Sequence, residues 1–218
     1  SNVEPEKIIN PHGIYFSDEG VVYKMDYDGA NKMQLTFNNK NNVNPFLSID
    51  GKYLIYETQS TESISHIDTK KYSAISIMDL SCSILWEIVD ETEWCTEPSI
   101  SLNNQLIVFC SHQYDLYRTI TLTDINGKEF KKLTEYGPNR NPVFTPNGDK
   151  IIYDSDIVPQ TNLFSIDLTG KNKQQLTDTE FNINPVFSAD GNKILWVGFW
   201  DLFLMNIDGT NKINLTND

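Results

Sequence analysis

Hydrophobic and polar positions along this chain recur as a phrase of about a dozen residues. Residues 184–196 read NPVFSADGNKILW: a short apolar strand, an Asp-Gly turn, and a second strand that ends in an aromatic. The phrase is written again at 141–153 (NPVFTPNGDKIIY) and at 44–56 (NPFLSIDGKYLIY). Weaker copies stand at 97–109 (EPSISLNNQLIVF) and 4–16 (EPEKIINPHGIYF). Counted from Pro5, Pro45, Pro98, Pro142 and Pro185, the eleventh residue on is always aromatic: Phe16, Tyr56, Phe109, Tyr153 and Trp196. The ninth is aliphatic: Ile14, Leu54, Ile107, Ile151 and Ile194. The residue between them is also apolar, so the strand is expected to be covered on both faces, and the aromatics are expected in the core.

Each repeat has a second half: an apolar strand, a turn carrying Asp or Asn with Gly, a polar run, then Leu-Thr. The copies end at Thr36, Thr134, Thr177 and Thr216. Asp-Gly and Asn-Gly between strands mark hairpins, because glycine accepts positive φ. The second repeat departs from this, with Cys82 where the others have Gly, and a different turn is expected there. Four short strands per repeat, A to D, and no helical period of twelve residues predict an all-β chain. The expected architecture is a five-bladed β-propeller of four-stranded antiparallel blades.

The two phrases resemble the repeats of the TolB-like β-propeller family. They are similar to WD-like repeats and to the propeller domains of dipeptidyl and prolyl oligopeptidases. The resemblance implies a propeller and slightly favours the cell envelope or extracellular space. Its members usually carry six blades where five repeats are visible here. A fold of this kind hosts many activities, so it does not name one.

The prolines are 40, 53, 44 and 43 residues apart in a chain of 218. One domain over 3–218 is expected, with blades at 4–36, 44–88, 97–134, 141–177 and 184–216; Ser1-Asn2 reads as a tag remnant. The wide spacing comes from a polar B–C segment at 57–71, expected to be an exposed loop or an extended hairpin. No apolar run approaches the length of a membrane span, and no membrane insertion is expected. A net charge of −13 disfavours nucleic acid and fits a neutral or cationic small ligand, a peptide or a protein.

Three cysteines, Cys82, Cys95 and Cys110, give neither a disulfide framework nor metal spacing with the three histidines. Cys110 is expected as a small buried hydrophobe. The aspartates at the C–D turns are too few per blade for calcium and are expected to cap the turns. No cofactor or metal is called for. No GxSxG elbow, HExxH or phosphate loop is present, and no catalytic residue is named.

The regular Asp-Gly turns serve the fold, while the irregular sequence lies in the D–A and B–C segments, with long B–C loops on adjacent blades 2, 3 and 4 and a short B–C turn near 198–201 in blade 5. Binding residues sit on such segments over a rigid scaffold. The candidates are Trp94, His112, Tyr114, Asp115, Arg140, Asp154, Asp156, Phe181 and Trp200. The reading is a non-enzymatic module binding a protein or ligand on this D–A/B–C face. Two alternatives stay open: a substrate-gating domain of a larger peptidase-like protein, and a hydrolase or lyase with acids at the channel mouth.

Overall fold

 The computed structural model describes residues 11–63, 69–81, 84–88, 94–112, 117–135, 137–157, 160–179, 181–188 and 190–216. Among these residues the chain is all strand, with no helix. The first sheet holds β1 (Ile14–Asp18), β2 (Val21–Met25) and β3 (Met33–Gln34); the strand expected before them falls outside the described residues. The second holds β4 (Asn41–Leu47), β5 (Tyr53–Ser63), β6 (Thr69–Asp79) and β7 (Ile84–Ile88). The third holds β8 (Trp94–Ile100), β9 (Leu106–His112), β10 (Thr119–Asp124) and β11 (Phe130–Lys132). The fourth holds β12 (Asn139–Phe144), β13 (Lys150–Ile157), β14 (Gln160–Asp167) and β15 (Gln174–Gln175). The fifth holds β16 (Asn182–Phe187), β17 (Lys193–Gly198), β18 (Asp201–Asn206) and β19 (Ile213–Asn214). Every sheet is an antiparallel meander in chain order, which is the blade of a β-propeller. The fold class is the expected one, all-β with five blades.

The chain divides into two compact units, Ser1–Pro98 and Ser99–Asp218. Within each, neighbouring blades pack by one rule. A leading face made of the middle residue of strand B, the start of strand C and the Leu of Leu-Thr covers the trailing face of the next blade. In the first unit Tyr15, Val22 and Leu35 lie on Leu54, Tyr56 and Met78. In the second, Val108, Ile120 and Leu133 lie on Ile151, Tyr153 and Ile166. Ile152, Leu163 and Leu176 lie on Ile194, Trp196 and Met205. Tyr56, Phe109, Tyr153 and Trp196 are buried, as the aromatic column predicts, whereas Phe16 of the first blade is half-buried. Burial pushes the Tyr56 phenol up to about 12.

The Thr of Leu-Thr extends this packing with a repeated hydrogen bond. Its hydroxyl accepts a backbone N–H fourteen residues earlier: Val22 to Thr36 at 3.0 Å, Ile120 to Thr134 at 2.9 Å, Leu163 to Thr177 at 2.9 Å and Leu202 to Thr216 at 3.0 Å. The bond satisfies a strand C donor beyond the end of a two- or three-residue strand D. The Asp-Gly turns are capped as expected. Asp28 accepts from Ala30 N at 2.9 Å, Asp124 from Asn126 N at 2.7 Å and Asp208 from Thr210 N at 2.9 Å.

Of the segment at 57–71, the described residues follow the extended-hairpin expectation, since β5 and β6 stay paired from Tyr53–Asp79 out to Ser63–Thr69; residues 64–68 lie outside the described residues. The Cys82 turn lies outside the described residues. Cys110 is buried, as expected, and its thiol donates to the Asn139 carbonyl at 3.6 Å.

Candidate functional site

Antiparallel meanders place the D–A and B–C segments at one end of each blade and the A–B and C–D turns at the other. At the first of these ends, strand A carries a bend that the sequence writes as Asn-Pro. Asn44, Asn141 and Asn184 have φ of 52°, 51° and 54°, and Glu97 has 54°. In three of these strands the pairing register shifts at that point, between Val43 and Phe46, Arg140 and Val143, and Ile183 and Val186. This is a β-bulge with its extra residue left-handed, a conformation asparagine tolerates better than most side chains.

The bulge aims the asparagine at strand B. Asn141 Nδ2 donates to Asp154 Oδ1 at 2.8 Å, and the Asn184 backbone N–H donates to the same oxygen at 3.2 Å. Asp154 is buried on β13, so it joins the fourth blade to the fifth. In the second blade Asn44 Nδ2 meets Glu57 Oε2 at 3.4 Å, thirteen residues on as before.

Two residues before each of these three bulges lies a second asparagine, and this one is buried. Asn42 Nδ2 donates to Gly20 O at 3.0 Å, and Asn139 Nδ2 to Arg118 O at 2.9 Å. Asn182 Nδ2 donates to Thr161 O at 3.1 Å and Thr179 O at 2.7 Å. Each amide ties the D–A connection to the preceding blade. These asparagines were not among the candidates. Their signal is the N-x-N-P string at 42–45, 139–142 and 182–185, legible only once the repeats are aligned.

The candidates divide between exposed and buried positions. Tyr114 and Asp115 lie outside the described residues. Trp94 opens β8, half-buried, in the first unit. His112 ends β9 and is buried, and Asp154 is buried within β13; both belong to strands, because pairing runs further than the loops read from sequence. Asp156 also lies on β13, where Thr161 Oγ1 donates to it at 2.6 Å and Arg140 Nη2 stands 3.7 Å away. Both partners of that ion pair are about a third exposed, so it is a weak surface pair.

Phe181 and Trp200 do come together, with ring centroids 6.3 Å apart at 33°. Trp200 is 91% exposed. Its turn is a two-residue hairpin joining Gly198 to Asp201, with Phe199 at φ 47° and Trp200 at φ 75°. Hairpins of this shape are ordinarily built with Asn-Gly. Phe181 is left-handed too, at φ 56°. Three bulky aromatics therefore hold a backbone conformation that costs each of them about 1–2 kcal/mol. Phe199 was not a candidate; the repeat places a short B–C turn at 198–201, as found, but gives no sign that its two residues are left-handed. Beside the pair, Asp201 accepts from Asn214 Nδ2 at 2.7 Å and Thr216 Oγ1 at 2.7 Å, which hold its carboxyl below the usual range.

Among the described residues no group of three or more His, Cys, Asp or Glu is arranged to hold a metal ion.

No family model and no curated protein sequence matches the chain. Solved structures do. TolB from Acinetobacter baumannii superposes with a TM-score of 0.74 at 20% identity, over 93% of this chain and 52% of that one. A TolB described as putative, from Agrobacterium tumefaciens, gives 0.75 at 18% identity, over 94% and 77%. A chain of a nidogen/laminin complex gives 0.72 at 13% identity, over 92% and 76%. The chain thus spans about half the length of the first of these structures. At such identities the likeness speaks of architecture, and the architecture is that of a TolB-like β-propeller.

Proposed function

We propose that this chain is a non-enzymatic binding module, and that its D–A/B–C end, at the fifth blade, takes a neutral or cationic group of a peptide, protein or small ligand. The observation that carries this reading is the Phe199-Trp200 turn. Backbone strain persists where the surroundings or a function hold it, and it gathers at binding sites. Here it holds an indole almost wholly in solvent, tilted against Phe181. An exposed aromatic face attracts cations and the apolar faces of hydroxyl-rich rings. The net charge of −13 adds long-range attraction for cationic partners. Protein binding also fits the nidogen/laminin complex among the similar folds.

The test uses tryptophan emission, with two probe sets: lysine- and arginine-containing peptides, and neutral oligosaccharides. One set is expected to quench the parent in a saturable way and to leave Trp200→Ala unchanged. Lys171→Ala and Lys212→Ala, at the other end of their blades, should bind as the parent does. Equal quenching of Trp200→Ala, or loss in the lysine variants, would overturn the reading.

A further inference from the structure

Turns between strands A and B share one hydrogen-bonding rule, and the fourth blade breaks it. In the second blade Asp50 Oδ1 accepts from the Ser48 hydroxyl at 2.7 Å and from Lys52 N at 3.0 Å. In the third, Asn103 Oδ1 accepts from Ser101 Oγ at 2.8 Å and Gln105 N at 3.1 Å. In the fifth, Asp190 Oδ1 accepts from Ser188 Oγ at 2.6 Å and Asn192 N at 3.1 Å. The fourth blade has Thr145, Asn147 and Asp149 at these three places. There the Thr145 hydroxyl reaches Asp149 Oδ1 and Lys150 O, each at 3.0 Å, and passes Asn147 by. The exposed Asn147 carboxamide thus makes neither bond of its counterparts.

Gly148 follows, left-handed at φ 73°, with open space where a side chain would stand. An asparagine before glycine can close on the next backbone nitrogen, because no side chain shields that amide. Ring closure needs the turn to open locally, so the hydrogen bonds that hold a turn set the rate. The sequence has one other Asn-Gly pair, Asn126-Gly127, exposed in a C–D turn. There Asp124 accepts from Asn126 N at 2.7 Å and from Lys128 N at 3.2 Å, so one carboxylate clamps the chain on both sides of Gly127. The turn at Asn147 has no such clamp.

We propose that Asn147 is a deamidation site, and that it reacts faster than Asn126 because its turn is less tightly held. Gly148 N gives its proton to hydroxide and attacks Asn147 Cγ. A cyclic imide closes as the Cγ–Nδ2 bond breaks, and the released NH2 group takes a proton from water and leaves as ammonia. Water then opens the ring. Cleavage at Cγ leaves aspartate on an ordinary backbone; cleavage at the main-chain carbonyl carbon leaves isoaspartate, with the backbone running through Cβ and Cγ. Aspartate at 147 reproduces the second and fifth blades, which have Asp50 and Asp190 there. Isoaspartate lengthens a turn closed by Gly148 N to Thr145 O at 2.8 Å and Thr145 N to Lys150 O at 2.9 Å. This site lies at the A–B end of its blade, opposite in kind to the proposed ligand site, and neither reading depends on the other.

The experiment holds the chain at mildly alkaline pH, folded and in urea, and maps aspartyl and isoaspartyl products at Asn103, Asn126 and Asn147 by mass spectrometry of its peptides. In the folded chain Asn147 is expected to convert several-fold faster than Asn126, and ahead of Asn103. In urea the two Asn-Gly sites should convert at similar rates, since the dipeptide is the same. Thr145→Ser with Asp149→Asn writes the fifth blade's Ser188 and Asn192 into the fourth blade's turn. This double variant should keep the parent's circular dichroism, slow Asn147 several-fold and leave Asn126 unchanged. Equal rates at Asn126 and Asn147 in the folded chain overturn the proposal. So does a difference that persists in urea, which would belong to the neighbouring sequence, or a double variant whose Asn147 converts as fast as the parent's.

Discussion

Trp196 donates its indole N–H to Asn182 Oδ1 at 2.8 Å, so the aromatic column of the fifth blade is bonded to the asparagine that closes its D–A connection. The two residues are fourteen apart, and both are buried. The same amide reaches back to Thr161 O in the fourth blade. One side chain thus joins the core, the connection and the neighbouring blade.

Trp196→Ala should destabilise the protein by roughly 3–5 kcal/mol, the range for large buried aromatics. Trp196→Phe should keep much of the packing while leaving the Asn182 oxygen one donor short, at a cost of about 1–3 kcal/mol. Denaturant midpoints check both, and a midpoint equal to the parent's for the alanine variant would remove the column from the core.

Thr177→Val should cost about 1–3 kcal/mol, because it strands the buried Leu163 N–H. Thr177→Ser should restore most of the loss. Thr216→Val removes the equivalent bond to Leu202, where water reaches the chain, and should cost clearly less. Equal losses at the two positions would show that burial does not set the cost.

Replacing Phe199-Trp200 by Asn-Gly should raise the melting temperature, since it relieves two left-handed aromatics worth about 1–2 kcal/mol each. The same replacement should abolish quenching by whichever probe binds. A variant that melts lower than the parent would mean that the rings stabilise their own turn.

Acid should weaken the fold through its turns. Thr210 holds the Asp208 carboxyl down, chiefly by its hydroxyl, and Ser188 does the same for Asp190. Asp167 is held lower still, first by the Thr169 hydroxyl. A carboxyl depressed in the folded state contributes stability above its unfolded value, near pH 4, and loses it as pH falls further. Melting temperature should therefore drop below about pH 4. Asp208→Asn and Asp190→Asn should show a shallower drop than the parent, and identical acid profiles would rule out these turns as the cause.

The repeated part of the molecule was legible in sequence because one residue type serves one place five times over. Four of the five residues of the aromatic column, the Asp-Gly turns and Cys110 stand where their spacing put them, and Phe16 is half-buried. The candidate site was less legible. Asp154 reads as a loop acid, yet pairing of β13 with β14 carries it inside, where Asn141 and Asn184 meet it. No local pattern records how far a hairpin stays paired. The short turn at Phe199-Trp200 follows from its place in the repeat, but its left-handed backbone does not, because it runs against the preference of both residues.

The packing rule between blades also bears on how such a chain grows. A leading face and a trailing face are carried by the same A-to-D segment, as in 141–177, where Leu163 and Leu176 point one way and Ile151 and Tyr153 the other. A duplication that copies one such segment delivers both halves of a seam at once. The new copy fits beside its parent without any compensating change. A duplication cut between strands B and C would separate Tyr153 from Ile166 and carry half a face. Whole-segment copying is therefore the step that selection can accept at once.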